Sequence, residues 1–97
     1  MSVTILLDLT AKPGSMEDLK NIFIEILPAT RSYDGCEGLE VKINSDDANN
    51  LVIVERWQSR QHYEKYFAWR QETGLIDRLG PVLGAPPSVR FLEDTGI

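Results

Sequence analysis

From Val3 to Thr10 the chain alternates, with Val3, Ile5, Leu7 and Leu9 on one side and Thr4, Leu6, Asp8 and Thr10 on the other. A period of two predicts a strand with one apolar and one mixed face. Pro13-Gly14 breaks the pattern, and Ser15 with Asp18 three residues on approximates a capping box. Leu19, Ile22, Phe23, Ile26 and Leu27 then recur at helical spacing, which predicts an amphipathic helix. Pro28 withholds one backbone donor inside that pattern, so a kink or a broken last turn is expected before Asp34-Gly35 ends the helix. Leu39, Val41 and Ile43 alternate with Glu40 and Lys42, and Leu51 to Val54 open a second strand-like run that ends at Trp57. The SDDANN stretch between them is expected to be a turn-rich loop; it lacks the glycine and terminal glutamate of a calcium-binding loop. A second helix is expected from Ser59 through HYEKYFAWRQE. Glycines and prolines punctuate residues 74–87, where Leu75, Ile76, Leu79, Val82 and Leu83 predict a short broken helix over something apolar, a candidate lid. SVRFLED supplies a last strand, with Val89 and Phe91 on one face.

The order β-α-β-β-α-β predicts an α+β fold of ferredoxin-like, split βαβ type: one antiparallel sheet with both helices on one face. The other face would carry Leu6, Val52, Val54 and Leu92 beside Asp8, Glu40, Lys42, Arg56 and Arg90, too apolar to be left to water. A second copy of the chain, making a homodimer, is expected to cover it. Residues 1–97 read as a single domain.

Residues 1–48 hold nine Asp/Glu against four Lys/Arg, residues 49–97 six of each, and no basic cluster is present. Nucleic acid and anionic membranes are therefore not expected as partners. No apolar run approaches the roughly 18 residues of a bilayer span, and Asp8 interrupts the first apolar stretch, so a cytoplasmic location is expected. Cys36, the lone cysteine, cannot form an internal disulfide, and with a single histidine no two-histidine iron site can be built. No metal site is expected.

Trp57, His62, Tyr63, Tyr66, Phe67 and Trp69 put six ring-bearing residues into thirteen positions. His62, Tyr66 and Trp69 share one helical stripe; Tyr63, Phe67 and Arg70 share the next. With Trp57 and Ile53 on the helix side of the sheet, these rings would wall a pocket for a planar, mostly apolar ligand. The alternative is that they only fill a small core. His62 is a possible base near neutral pH or a solvated histidine. Glu55, on the same strand face as Ile53 and Trp57, reads as a pocket carboxylate or, preferably, as partner to a nearby arginine. A one-residue register slip would turn Glu55 and Trp57 to the other face.

The segments GCEGLEV, VIVERWQSRQHYEKYF and LGPVLGAPPSVRF resemble the antibiotic biosynthesis monooxygenase (ABM) domain family, small quinol monooxygenases among its members. The likeness rests on Glu55-x-Trp57-x-Ser59, on Gly35-Cys36 and on the Pro-Pro entry to the last strand. It implies a homodimeric α/β barrel with a cavity in each subunit. It also implies oxygenation of small aromatic polyketides or quinols by molecular oxygen without metal or flavin, hence no cofactor. Trp57 and Tyr63 match cavity residues of polyketide-oxidising members, whereas Ile53 stands where those members carry an asparagine. Haem-degrading relatives use an asparagine, a tryptophan and a histidine where this chain has Leu7, Tyr66 and Ile76. The implied roles are Trp57, Tyr63, Tyr66, Phe67 and Trp69 as stacking walls, Tyr63 or His62 as proton acceptor, and Arg70 or Arg78 as counter-charge for a substrate anion. Two further readings share the same cavity: a non-catalytic small-molecule-binding or stress-response dimer, and an isomerase or lyase on a small keto compound with His62 as base.

Overall fold

The alternating segments pair into one antiparallel sheet whose apolar side is roofed by the amphipathic helices. The computed structural model describes residues 2–97. In chain order the elements are β1 (Val3–Thr10), α1 (Met16–Arg31), β2 (Cys36–Asn44), β3 (Asp47–Trp57), α2 (Arg60–Glu72), α3 (Leu75–Leu79) and β4 (Ser88–Leu92), with a single 3-10 turn at Gly80–Val82. The strand order β2-β3-β1-β4 is that of a ferredoxin-like α+β fold.

Register decides which side chains meet the helices. Ile5 pairs with Glu55 and with Phe91, and Glu55 pairs in turn with Leu39. Glu55 is thus a carboxylate within an otherwise apolar row on the helix side, and Trp57, opposite Val3, shares that face. The next rows on that face set Leu7 against Ile53 and Leu9 against Leu51. On the opposite face Leu6, Val52 and Val54 are partly buried, while Arg90 and Leu92 are exposed.

Several local expectations change. Most of SDDANN is strand rather than loop: β3 starts at Asp47, and only Ser45-Asp46 are left as a tight turn after β2, held by Asp46 N–H donating to Asn44 Oδ1 at 2.9 Å. Ser15 does not cap through its side chain; its carbonyl accepts from Leu19 N–H at 3.0 Å instead. Pro28 sits inside α1 without ending it, since the helix runs on to Arg31 and Ser32 closes it by donating to the Pro28 carbonyl. Ser59 does cap α2, its hydroxyl accepting from His62 N–H at 3.2 Å.

Two apolar clusters fill the space between layers. One is mainly aliphatic, built on Leu9, Leu19, Phe23, Leu27, Leu51, Ile53, Leu75 and Leu79. The other gathers Val3, Ile5, Trp57, Tyr63 and Tyr66, with Tyr33, Phe67, Trp69 and Phe91 packed against them.

Candidate functional site

Where the two clusters meet, the helices leave a cavity of about 190 Å³. Leu7, Leu9, Ile53 and Glu55 form its floor; Phe23, Leu27 and Thr30 of α1 and Tyr63, Tyr66, Phe67 and Arg70 of α2 form its walls. Leu75, Ile76 and Leu79 of α3, with Pro87 and Val89, close one end. Main-chain bonds hold that end down: Lys12 N–H donates to the Val82 carbonyl at 2.9 Å, and Gly84 N–H to the Thr10 carbonyl at 2.8 Å. A cavity of about 150 Å³ accommodates benzene, so this volume suits one substituted aromatic ring and is far too small for a tetrapyrrole. A wider groove of about 500 Å³ runs outside, between α1 and β2, but it is open and its charged groups, Lys20, Arg31 and Lys42, are in water.

Glu55 is 4% exposed. Its Oε1 accepts from the Trp57 indole N–H at 3.0 Å, and no arginine pairs with it, contrary to the sequence expectation. Burial pushes its carboxyl up to about 7, the Trp57 bond pulling weakly the other way. Among the described residues, no fully buried side-chain nitrogen or oxygen lacks a partner. Oε2, which has no partner in the protein, is therefore reachable from open space, and the space that Glu55 lines is the cavity.

The same argument applies to Tyr63. Its ring is 4% exposed, packed edge-on against Trp57 and Phe91, yet its hydroxyl bonds to nothing in the protein. Burial first, then the Glu55 charge, push the phenol up from its ordinary value, so near neutral pH it is a donor and cannot accept a proton from substrate.

Arg70 presents a different chemistry. Nε donates to Tyr66 Oη at 3.0 Å, while Nη2 donates to the Ile26 carbonyl at 2.8 Å and to Thr30 Oγ1 at 2.9 Å. Thr30 Oγ1 and Tyr66 Oη are themselves 2.7 Å apart. The guanidinium carbon lies 4.5 Å from the centre of the Trp69 ring. Burial raises the Tyr66 phenol, opposed by its bonds to Thr30 and Arg70, and with its hydroxyl tied into this network it serves as wall and brace.

Tyr63, Tyr66, Phe67 and Arg70 thus line one cavity, whereas Trp57, His62, Trp69 and Arg78 do not. Trp57, 0% exposed, stands behind Glu55. Trp69 stacks on Tyr33, centroids 5.1 Å apart, and backs Arg70. His62 turns outward: Nδ1 is 2.6 Å from Ser59 Oγ and Nε2 is 4.0 Å from Asp34. Its ring lies over Gly35, where φ of +92° and a Cβ that would fall 2.5 Å from the imidazole both demand glycine. Arg78 pairs with Glu25 on the outer surface. Thr30 was not anticipated, although a polar residue extending the stripe of Leu19, Phe23, Ile26 and Leu27 is a readable signal. Among the described residues, no three His, Cys, Asp or Glu side chains converge as metal ligands, and burial pushes the Cys36 thiol up, away from thiolate reactivity.

Residues 2–72 match the family model for antibiotic biosynthesis monooxygenase. The chain belongs to the ABM family. No curated protein matches the sequence. Among solved structures, the ABM chain is similar to Rv0793 of Mycobacterium tuberculosis, with 21% identity, 97% of this chain and 95% of that one covered, and a TM-score of 0.85. It is also similar to a conserved protein of Methanosarcina mazei at 13% identity, 98% and 94% coverage and a TM-score of 0.89. A Deinococcus radiodurans protein provisionally classed as an antibiotic biosynthesis monooxygenase gives 23%, 95% and 91%, and 0.82. At these identities the likeness establishes a shared fold. Among the described residues, no helix is long and apolar enough to cross a membrane.

Proposed function

We propose that this ABM-family chain is a cofactor-independent monooxygenase that oxidises a small aromatic substrate of the quinol class with molecular oxygen. The observation that carries the proposal is Glu55: a buried carboxyl held at about 7, with one oxygen free, in the floor of a ring-sized apolar cavity. Ionised Glu55 takes one phenolic proton. The phenolate passes one electron to oxygen, and the phenoxyl radical and superoxide combine in a carbon–oxygen bond at the ring. Glu55 returns its proton to give a ring hydroperoxide. The hydrogen on that carbon then leaves as a proton, the oxygen–oxygen bond breaks, and water departs to leave a hydroxyquinone. All four electrons come from the substrate, and the protein's part is to desolvate, orient and move one proton.

Tyr63 donates a hydrogen bond to a substrate oxygen, and Phe67 and Tyr66 offer ring faces. The isomerase reading relied on His62, whose ring faces Asp34 and Ser59 outside the cavity. The partly buried row of Leu6, Val52 and Val54 supports a homodimer closed across the open sheet face.

The test is oxygen uptake with a panel of small benzoquinols and naphthoquinols, each set against its own autoxidation, for the wild type and Glu55→Gln. Uptake above background that falls in the variant, with water and hydroxyquinone as products, supports the oxygenase. Protein that binds these compounds but takes up no oxygen from any of them is the non-catalytic binding dimer instead.

A further inference from the structure

Arg70 is 7% exposed and, among the described residues, no carboxylate lies within 4.0 Å of it; the ion pairs present all involve other side chains. An arginine cannot neutralise itself by losing its proton, so the cavity wall carries a fixed positive charge with neutral oxygens as its only partners. Removing a charge from water without a counter-ion is expensive, and a ligand that brings the counter-ion recovers that cost. Of the five N–H donors, the one on Nε and the two on Nη2 are used within the protein. The two on Nη1 have no protein partner, and since nothing fully buried is left unpartnered, Nη1 is reachable from open space.

The opposite-sign group in the same cavity, Glu55, does not take up the role. It also lines the cavity but forms no ion pair with Arg70, and its oxygen is bonded to Trp57. Tyr63, which bears the other unpartnered polar group, is seven residues from Arg70 on the same face of α2, about 10 Å of helix. The cavity therefore has a cationic corner at one end, a proton-handling corner at the other, and apolar walls between.

We propose that the natural ligand is a single-ring aromatic acid bearing a hydroxyl across the ring from its carboxylate, the carboxylate seated on Arg70 Nη1 and the hydroxyl directed to Glu55 and Tyr63. This rests on the cavity being the substrate site and narrows the quinol class to ortho-quinols that carry a carboxylate, since in a para-quinol the position across the ring from each hydroxyl is taken by the other hydroxyl.

Isothermal titration of the full chain with para-hydroxybenzoate and with its neutral isostere para-hydroxybenzamide tests it without requiring turnover, at a pH below that at which Glu55 ionises. The acid should bind about tenfold or more tightly than the amide, the usual scale of a hydrogen bond to a charged group. Arg70→Gln should remove the difference while leaving amide binding in place, and His62→Ala, whose ring lies outside the cavity, should retain it. If Arg70→Gln does not fold, the wild-type acid-to-amide ratio still decides. Equal or weaker binding of the acid, no binding of either compound, or a preference that survives Arg70→Gln overturns the proposal. Oxygen uptake separates it from the function above. Neutral 4-methylcatechol consumed as readily as 3,4-dihydroxybenzoate would sustain the oxygenase and remove this inference; acid-selective binding with no uptake from either would do the reverse.

Discussion

The two polar corners of the cavity are built on opposite principles. At Arg70 the charge is permanent and three of its donors are tied to oxygens from α1 and α2. At Glu55 the charge is conditional: one bond to Trp57, one free oxygen and a carboxyl near 7. Desolvation acts on both, but only the carboxyl can respond by changing protonation state. A cavity that must hold a ligand and also move a proton gains from dividing the tasks this way.

The division breaks most visibly at Glu55→Gln, which keeps shape and loses the base. Turnover of an identified substrate should fall by about 10²-fold or more with affinity little changed, as initial rates and titrations would show. The same carboxyl sets a pH dependence of stability. Its folded value, about 7, lies above the ordinary 4.5, so the folded state holds the proton more tightly than the unfolded chain. The contribution of Glu55 to stability should be greatest below about 4.5, decline as pH rises, and level off beyond about 7, a total of about 3 kcal/mol. Denaturant melts across that window should show the decline in wild type and none of it in Glu55→Gln.

Thr30→Val attacks the other corner. It strips Arg70 Nη2 and Tyr66 Oη of a shared partner and should cost about 2 kcal/mol by denaturant melts. It should leave the rising limb of kcat/KM, centred near 7, where it was, because that limb reports Glu55. Trp57→Phe should move the limb upward, since the indole bond favours the ionised carboxylate. The smallest effect belongs to His62→Ala. With the ring outside the cavity, turnover should stay within about twofold and stability within about 1 kcal/mol, because the cap is made by Ser59 to a backbone N–H.

What was legible in the sequence follows from range. The strand faces of Val3 to Leu9 and Leu51 to Trp57, and the apolar stripe of α1, are local periodicities, and they place Glu55 beside Ile53 and Trp57. Aromatic density proved a guide to the core and to part of the cavity wall. Trp57, Trp69 and Tyr33 pack mainly on other rings, while aliphatic side chains from five elements supply half of the cavity lining. The carboxyl's displaced pKa was not legible, because it depends on what covers the strand. Arg70's saturation was not legible either, because its partners Ile26 and Thr30 lie 44 and 40 residues away.

The tether beneath the short helix α3 sets a clock. Val82 and Gly84 are fastened to Lys12 and Thr10 through main-chain groups alone, so side-chain changes in this segment can reshape the cavity without untying it. For any molecule that passes under α3, entry and departure wait on the same two bonds. Exchange of such a molecule is then no faster than the opening of that segment, however weakly the molecule is held.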